Sequence, residues 1–166
     1  MSKFLHDAKS LRHGLAAVAA LAGAVALIPS AAQAGSCPAG KQVAAGHGQQ
    51  PGAKTHKAVT DKVLTMLPLS QEKVGLKHHQ FRLRQLVVQP GGEVAWHSHD
   101  DRPAIIYVVS GTIVEYASTC AVPITHRAGE ATAESHTSHW WKNHTRKPVV
   151  LLSSDILHEA DDHKTM

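Results

Sequence analysis

With 166 residues and a formal net charge of +4, the chain has the length of one domain, and its 43% hydrophobic content excludes a disordered, charge-swollen polymer. The positive balance does not indicate a nucleic-acid binder. Lys3, Lys9 and Arg12, against a single Asp7, stand in the opening residues, and without residues 1–34 the charge falls to +2, scattered rather than gathered on the single face that a phosphate-binding surface requires.

Those basic residues introduce an apolar run from Leu15 to Ile28, a break at Pro29 and the small-residue end Ala32-Gln33-Ala34. This is the layout of a secretory signal peptide, with cleavage expected after Ala34. The apolar run is shorter than the roughly 20 residues that cross a bilayer. No stable membrane span is therefore expected after cleavage, and the mature chain is expected to be periplasmic or secreted. Cys37 follows closely, but Ala34-Gly35-Ser36 lacks the leucine of a lipoprotein signal.

Residues 35–58 are rich in Gly, Ala, Gln, Pro and Lys without a hydrophobic period, and read as a flexible arm whose His47 and His56 are solvated loop residues. Two cysteines remain in the mature chain, Cys37 and Cys120. In an oxidising compartment such a pair is expected to close a disulfide; the alternative is two unpaired thiols, with Cys120 buried at a strand end.

Val59 to Leu69 fits either a strand or a short helix. Phe81 to Val88 alternates and then turns apolar, and Gln89-Pro90-Gly91-Gly92 predicts a turn after it. The next strand carries His97 and His99. Two residues apart on an extended backbone, they project to the same side and can converge on one ion. Asp100 to Pro103 reads as a polar turn, and Ala104 to Val109 as an apolar strand stopped by Ser110-Gly111. Thr112–Ala117, Val122–Arg127, Thr132–Ser135, His139–Asn143 and Pro148–Leu157 supply further short strands. Residues 158–166 form a polar tail. Many short strands, with turns every eight to twelve residues and no amphipathic helix, predict an all-β sandwich or barrel.

The stretch from Gly91 through His97, Ser98 and His99 to Gly111 resembles the first motif of the cupin family, G-x5-H-x-H-x3-4-E-x6-G, with Ala104 in the place of its glutamate. Gly129, His139 and Asn143 are similar to the ends of the second motif, G-x5-P-x-G-x2-H-x3-N, without its proline and inner glycine. The resemblance runs from Phe81 to about Asp155. It implies a double-sheet jelly-roll β-barrel over residues 59–157 and a divalent transition metal, whether iron, zinc, copper, nickel or manganese, held by His97, His99 and His139. His136 is the substitute for His139, since residues three apart on a strand cannot both face inward. With Ala104 replacing the glutamate, the ligands are either three neutral imidazoles alone or three joined by Asp101, bending back from the turn. The three-imidazole set leaves the full charge on the ion and favours an anionic substrate or ligand.

Arg102, Trp141 and Asn143 are candidates for the pocket wall, Tyr107 has the wrong parity, and Glu115 reads as a solvent-facing strand residue. The resemblance further implies either a small-molecule metalloenzyme, of the dioxygenase, lyase or isomerase kind, or a non-catalytic metal- or ligand-binding protein of the cell envelope. A metal-free barrel of epimerase type is opposed by the intact H-x-H. No nucleic-acid partner is expected, and a homodimer is an expectation by analogy with the family.

Overall fold

The computed structural model describes residues 35–159. The signal peptide assigned to residues 1–34 and the end of the polar tail lie outside the described residues. Eight strands form among them: β1 (Lys57–Pro68), β2 (His79–Ser98), β3 (Ala104–Ser110), β4 (Thr112–Ala117), β5 (Ile124–Arg127), β6 (Ala131–Glu134), β7 (Ser138–Lys142) and β8 (Val149–His158), with one 3-10 turn at Leu69–Gln71. The pairings are antiparallel, in the order β5-β4-β7-β2-β8-β3-β6 with β1 added on β2, and they curl into a nearly closed barrel. No helix among the described residues is long and apolar enough to cross a membrane.

The segment that could be strand or helix is therefore a strand, paired along β2 from Lys57↔Glu93 to Pro68↔Gln80. Pairing decides it, because so short an apolar run carries either period. The turn predicted at Gln89–Gly92 is absent. β2 runs through it for 20 residues, pairing with β8 over its first half and with β7 over its last residues, Glu93 to Ser98. Gly91, at φ +72°, and Gly92, whose Cβ would stand 2.9 Å from the Ala58 carbonyl oxygen, let the strand bend from one half of the barrel to the other without breaking.

Alternation along each strand sorts the interior into two ends. Leu86, Val88, Val94, Ile106, Val108, Ile113, Trp141, Val149 and Leu151 form the apolar core. Beyond it the inward positions turn polar: Arg82, Arg84, His99, Glu115, His126, Glu134, His139 and Asp155 are all buried. Arg82 grips Asp155 with two bonds, Nε to Oδ1 at 3.0 Å and Nη2 to Oδ2 at 2.9 Å. Arg84 lies 3.3 Å from the same carboxylate and 2.6 Å from Asp61. Removing Asp155 would leave two buried guanidinium groups short of countercharge. Asp155→Ala is thus expected to destabilise the protein by about 3–5 kcal/mol, read as a lowered urea midpoint with unchanged slope.

The arm is irregular, as its lack of period predicts, but it is strapped to the barrel. Its amides at Val43, Gly48 and Gln49 donate to the carbonyls of Thr119, Ser118 and Ala117 at 2.8–2.9 Å. Cys37 and Cys120 form a disulfide with their Cα atoms 5.7 Å apart. Glycine is required where the strap lies flat: a Cβ on Gly48 would meet the Cys120 carbonyl oxygen at 2.5 Å, and one on Gly52 the Trp140 ring at 2.3 Å.

Candidate metal centre

His97 and His99 reach the interior because of a one-residue bulge. In the β2–β7 ladder Val94 pairs with Trp141 and His97 with His139, so three steps on β2 match two on β7. Up to Val94 the even positions of β2 face the core; after the bulge the odd ones do. The arm takes up the amides that the bulge frees from the ladder. Ala95 N–H donates to His56 Nδ1 at 3.0 Å and Trp96 N–H to the Ala53 carbonyl at 2.8 Å. His56, read from sequence as a solvated loop residue, is thereby a support of the histidine strand.

The Nε2 atoms of His97, His99 and His139 stand 3.0, 3.1 and 3.0 Å from one another. Each Nδ1 faces an acceptor with no proton of its own to give: His97 the Ala95 carbonyl at 2.8 Å, His99 the Arg102 carbonyl at 2.7 Å, and His139 the Glu115 carboxylate at 2.7 Å. The Nδ1 atoms therefore carry the protons, and in the neutral rings three Nε2 lone pairs point at one another. Such an arrangement is repulsive until a cation enters it. At a metal–nitrogen distance of about 2.1 Å, donors at right angles are about 3.0 Å apart and donors at a tetrahedral angle about 3.4 Å. The observed spacing fits three corners of an octahedral face with the remaining positions open, and the residues present thus fit a divalent transition ion.

Burial, aided by the neighbouring rings, keeps His97 and His99 neutral. It lowers His97 well below the ordinary imidazole value, and lowers His99 to about 4. His139 differs. Burial opposes its charge, but the hydrogen bond and field of Glu115 outweigh burial and carry it upward. Glu115 would be raised by burial, yet its bonds to His126 and His139 hold it below the ordinary carboxylate range. Glu134 has no comparable pair of donors; burial and the charge of Glu115 push it up.

Glu115 is the main correction to the sequence reading. It is 2% exposed, bridging His139 Nδ1 at 2.7 Å and His126 Nε2 at 2.8 Å, not facing solvent. Ile113, Glu115 and Ala117 share the inward face of β4. The pattern permitted the opposite face, with Val114 and Tyr116 inside, and only pairing with β5 and β7 decides. His126 and Glu134 were missed for the same reason, each standing on a four-residue strand too short for its own alternation to show which face is inward. Glu134 pairs directly with Ala104, where the family's glutamate was expected. It approaches His139 from the Nδ1 side at 3.5 Å, so it backs the ligand and does not join the Nε2 cluster.

Among the other predicted residues, Trp141 lies T-shaped against His139 with ring centroids 5.6 Å apart. It lines, with His97, His139, Val94, Ile106 and Ser153, a cavity of about 20 Å³ beside the rings, room for one water-sized molecule. Asp101 is exposed in the turn, and His136, at φ +52°, is exposed as well; neither joins the cluster, because the chain has left the barrel wall at both points. Arg102 contributes its carbonyl to His99, and its side chain does not line that cavity. Asn143 lies just past β7, with its side chain bonded to backbone. Its amide donates to the carbonyls of Val88 and Lys147, and its oxygen accepts from Thr145, anchoring the turn between β7 and β8. Tyr107 faces outward at 43% exposure, as its parity predicts.

Residues 84–155 match the family model Cupin_2, cupin domain. No match was found among curated proteins. Among solved structures, the cupin domain of an XRE-family transcriptional regulator from Enterobacter cloacae aligns at 17% identity and TM-score 0.45, over 60% of this chain and 96% of that one. A predicted oxalate decarboxylase from Thermotoga maritima aligns at 18% and 0.49, over 66% and 92%. KdgF from Halomonas sp. aligns at 15% and 0.47, over 62% and 83%. At such identities these likenesses concern the fold alone. Over residues 84–155, from within β2 to within β8, the match to the cupin domain and the antiparallel barrel coincide.

Proposed function

We propose that the chain is an exported metal-dependent protein that holds one divalent transition ion through Nε2 of His97, His99 and His139 and acts on a small molecule, as a dioxygenase-, lyase- or isomerase-type enzyme. The carrying observation is the convergence of three lone pairs, each ring having its other nitrogen bonded to a proton acceptor. When bound, the ion supplies Lewis-acid chemistry, polarising an oxygen donor of the substrate. The protein's own part is positional. Glu115 orients His139 and fixes its tautomer, two backbone carbonyls do the same for His97 and His99, and Trp141 with the apolar floor limits water. Three neutral ligands leave the ion its whole charge, which favours a carboxylate or enolate oxygen as the incoming donor. The Cys37–Cys120 disulfide supports export to an oxidising compartment.

A second reading, a metal-holding protein without turnover, is favoured by the small cavity, which admits a water but no multi-carbon molecule without movement of the barrel mouth. The test is to purify the exported protein without a histidine tag, measure bound metal by mass spectrometry, and record oxygen uptake and spectra with small carboxylic acids and diketones. One ion per chain with substrate-dependent uptake or product formation is the expected result. Tightly held metal with no turnover of any such compound would favour the second reading, and absence of retained metal would overturn both.

A further inference from the structure

A second cavity, of about 230 Å³, lies behind His139, lined by Gly35, Cys37, Glu115, Ile124, Thr132 and Glu134 among others. Two buried polar atoms in this region have no hydrogen-bond partner among the described residues, Glu134 Oε1 and His126 Nδ1. Both point to a missing donor. His126 gives its Nε2 proton to Glu115 at 2.8 Å, so its Nδ1 is a bare acceptor. Glu134 Oε2 lies 3.5 Å from His139 Nδ1, but that proton is already taken by Glu115 at 2.7 Å. A carboxylate 4% exposed without a close cation is costly.

The segment that reaches these acceptors is the start of the described chain. Gly35 is buried, and a Cβ on it would stand 2.7 Å from His126 Nδ1 and 3.2 Å from the Ala131 carbonyl oxygen. Two residues on, Cys37 is fastened to Cys120, so the position of Gly35 is constrained by a covalent tie.

We propose that signal-peptide cleavage makes the missing donor: the α-ammonium of Gly35 seats in this cavity as the counterion of Glu134 and closes the rear of the histidine centre. Hydrolysis of the Ala34–Gly35 bond consumes one water, leaves its oxygen on the Ala34 carboxylate, and leaves the Gly35 nitrogen as –NH3⁺. Its three N–H donors would be shared among the acceptors around Gly35: His126 Nδ1 and the Ala131 carbonyl, which stand beside its Cα, and the Glu134 carboxylate, which lines the same cavity. The proposal rests on the export that the functional reading above also assumes, through cleavage after Ala34, and not on metal occupancy, so failure of the metal reading leaves it standing.

The full chain would be expressed with its leader and the processed protein purified from the bacterial envelope. Intact mass is expected to show a chain beginning at Gly35. Brief acetylation with an N-hydroxysuccinimide ester near neutral pH should then modify the α-amine about tenfold more slowly in the folded protein than in urea, as local protection requires. Glu134→Gln should restore most of the unfolded rate in a protein whose circular dichroism is unchanged. Gly35→Ala, whose methyl would collide with His126, should lower the melting temperature. A mature chain beginning elsewhere than Gly35 would overturn the proposal. So would an α-amine labelled as fast in the folded protein as in the unfolded one, a result that needs no variant to fold.

Discussion

Alanine at His99 or His139 is expected to abolish retention of a divalent ion through dialysis, whereas Glu115→Gln weakens it by about 10–100-fold. The difference follows from position. His99 and His139 each supply one of three lone pairs 3.0–3.1 Å apart, and two donors no longer define a facial site. Glu115 supplies only the Nδ1 acceptor that orients His139, and glutamine can still accept there through its amide oxygen, without the charge. Titration of the metal-free proteins with cobalt or zinc, followed by absorbance or calorimetry, reads both effects. The ion should also stabilise the fold, by about 2.7 kcal/mol at a free concentration 100 times its dissociation constant, and alanine at either histidine should remove that increment. In the metal-free protein the pH dependence has a definite sign. His99 is lowered to about 4 from its ordinary 6.5, so between these values the unfolded chain binds the extra proton. Stability from this group is complete above about pH 6.5 and lost as pH falls toward 4. Equal affinity in Glu115→Gln and the unaltered protein would contradict the role assigned to that carboxylate.

The second large effect is expected on removal of the disulfide. Cys37 and Cys120 are 83 residues apart, and closing so long a loop in the unfolded chain contributes about 4–5 kcal/mol on the chain-entropy relation. The double variant Cys37→Ser, Cys120→Ser, or the reduced protein, should therefore melt well below the oxidised one, by something on the order of 15 °C for a domain of this size. Losing the tie has a local consequence as well. The arm residues that receive the bulge amides of Ala95 and Trp96 are restrained through the same strap, so the reduced protein should bind metal less tightly than the oxidised protein under matched conditions. A reduced protein as stable as the oxidised one would show that hydrogen bonds from Val43, Gly48 and Gln49 hold the arm unaided.

The period-two alternation of short apolar segments was enough to indicate strands, because side-chain direction on an extended backbone depends only on local geometry. The same rule placed His97 and His99 on one side, and the glycines at 91 and 111 put that pair in a recognisable frame. Tertiary structure decided which side. The bulge between Val94 and His97 reverses the parity of β2, and its cost is met by residues 53 and 56, some forty positions earlier. Glu115 and His126 were illegible for a related reason: burial of such a polar residue is tolerable only when partners arrive from other strands, and those partners come from pairings 11 to 24 residues distant. Asn143 shows the reverse case, a residue at the motif's spacing whose bonds hold a turn and tie it to β2. Local sequence thus determined most of the strands and the histidine pair, since these depend on neighbouring residues alone, while β1 and the continuation of β2 through Gly91 and Gly92 were settled by pairing. The direction of those histidines, and the buried acids behind them, depended on register between distant strands, which only the closed barrel specifies.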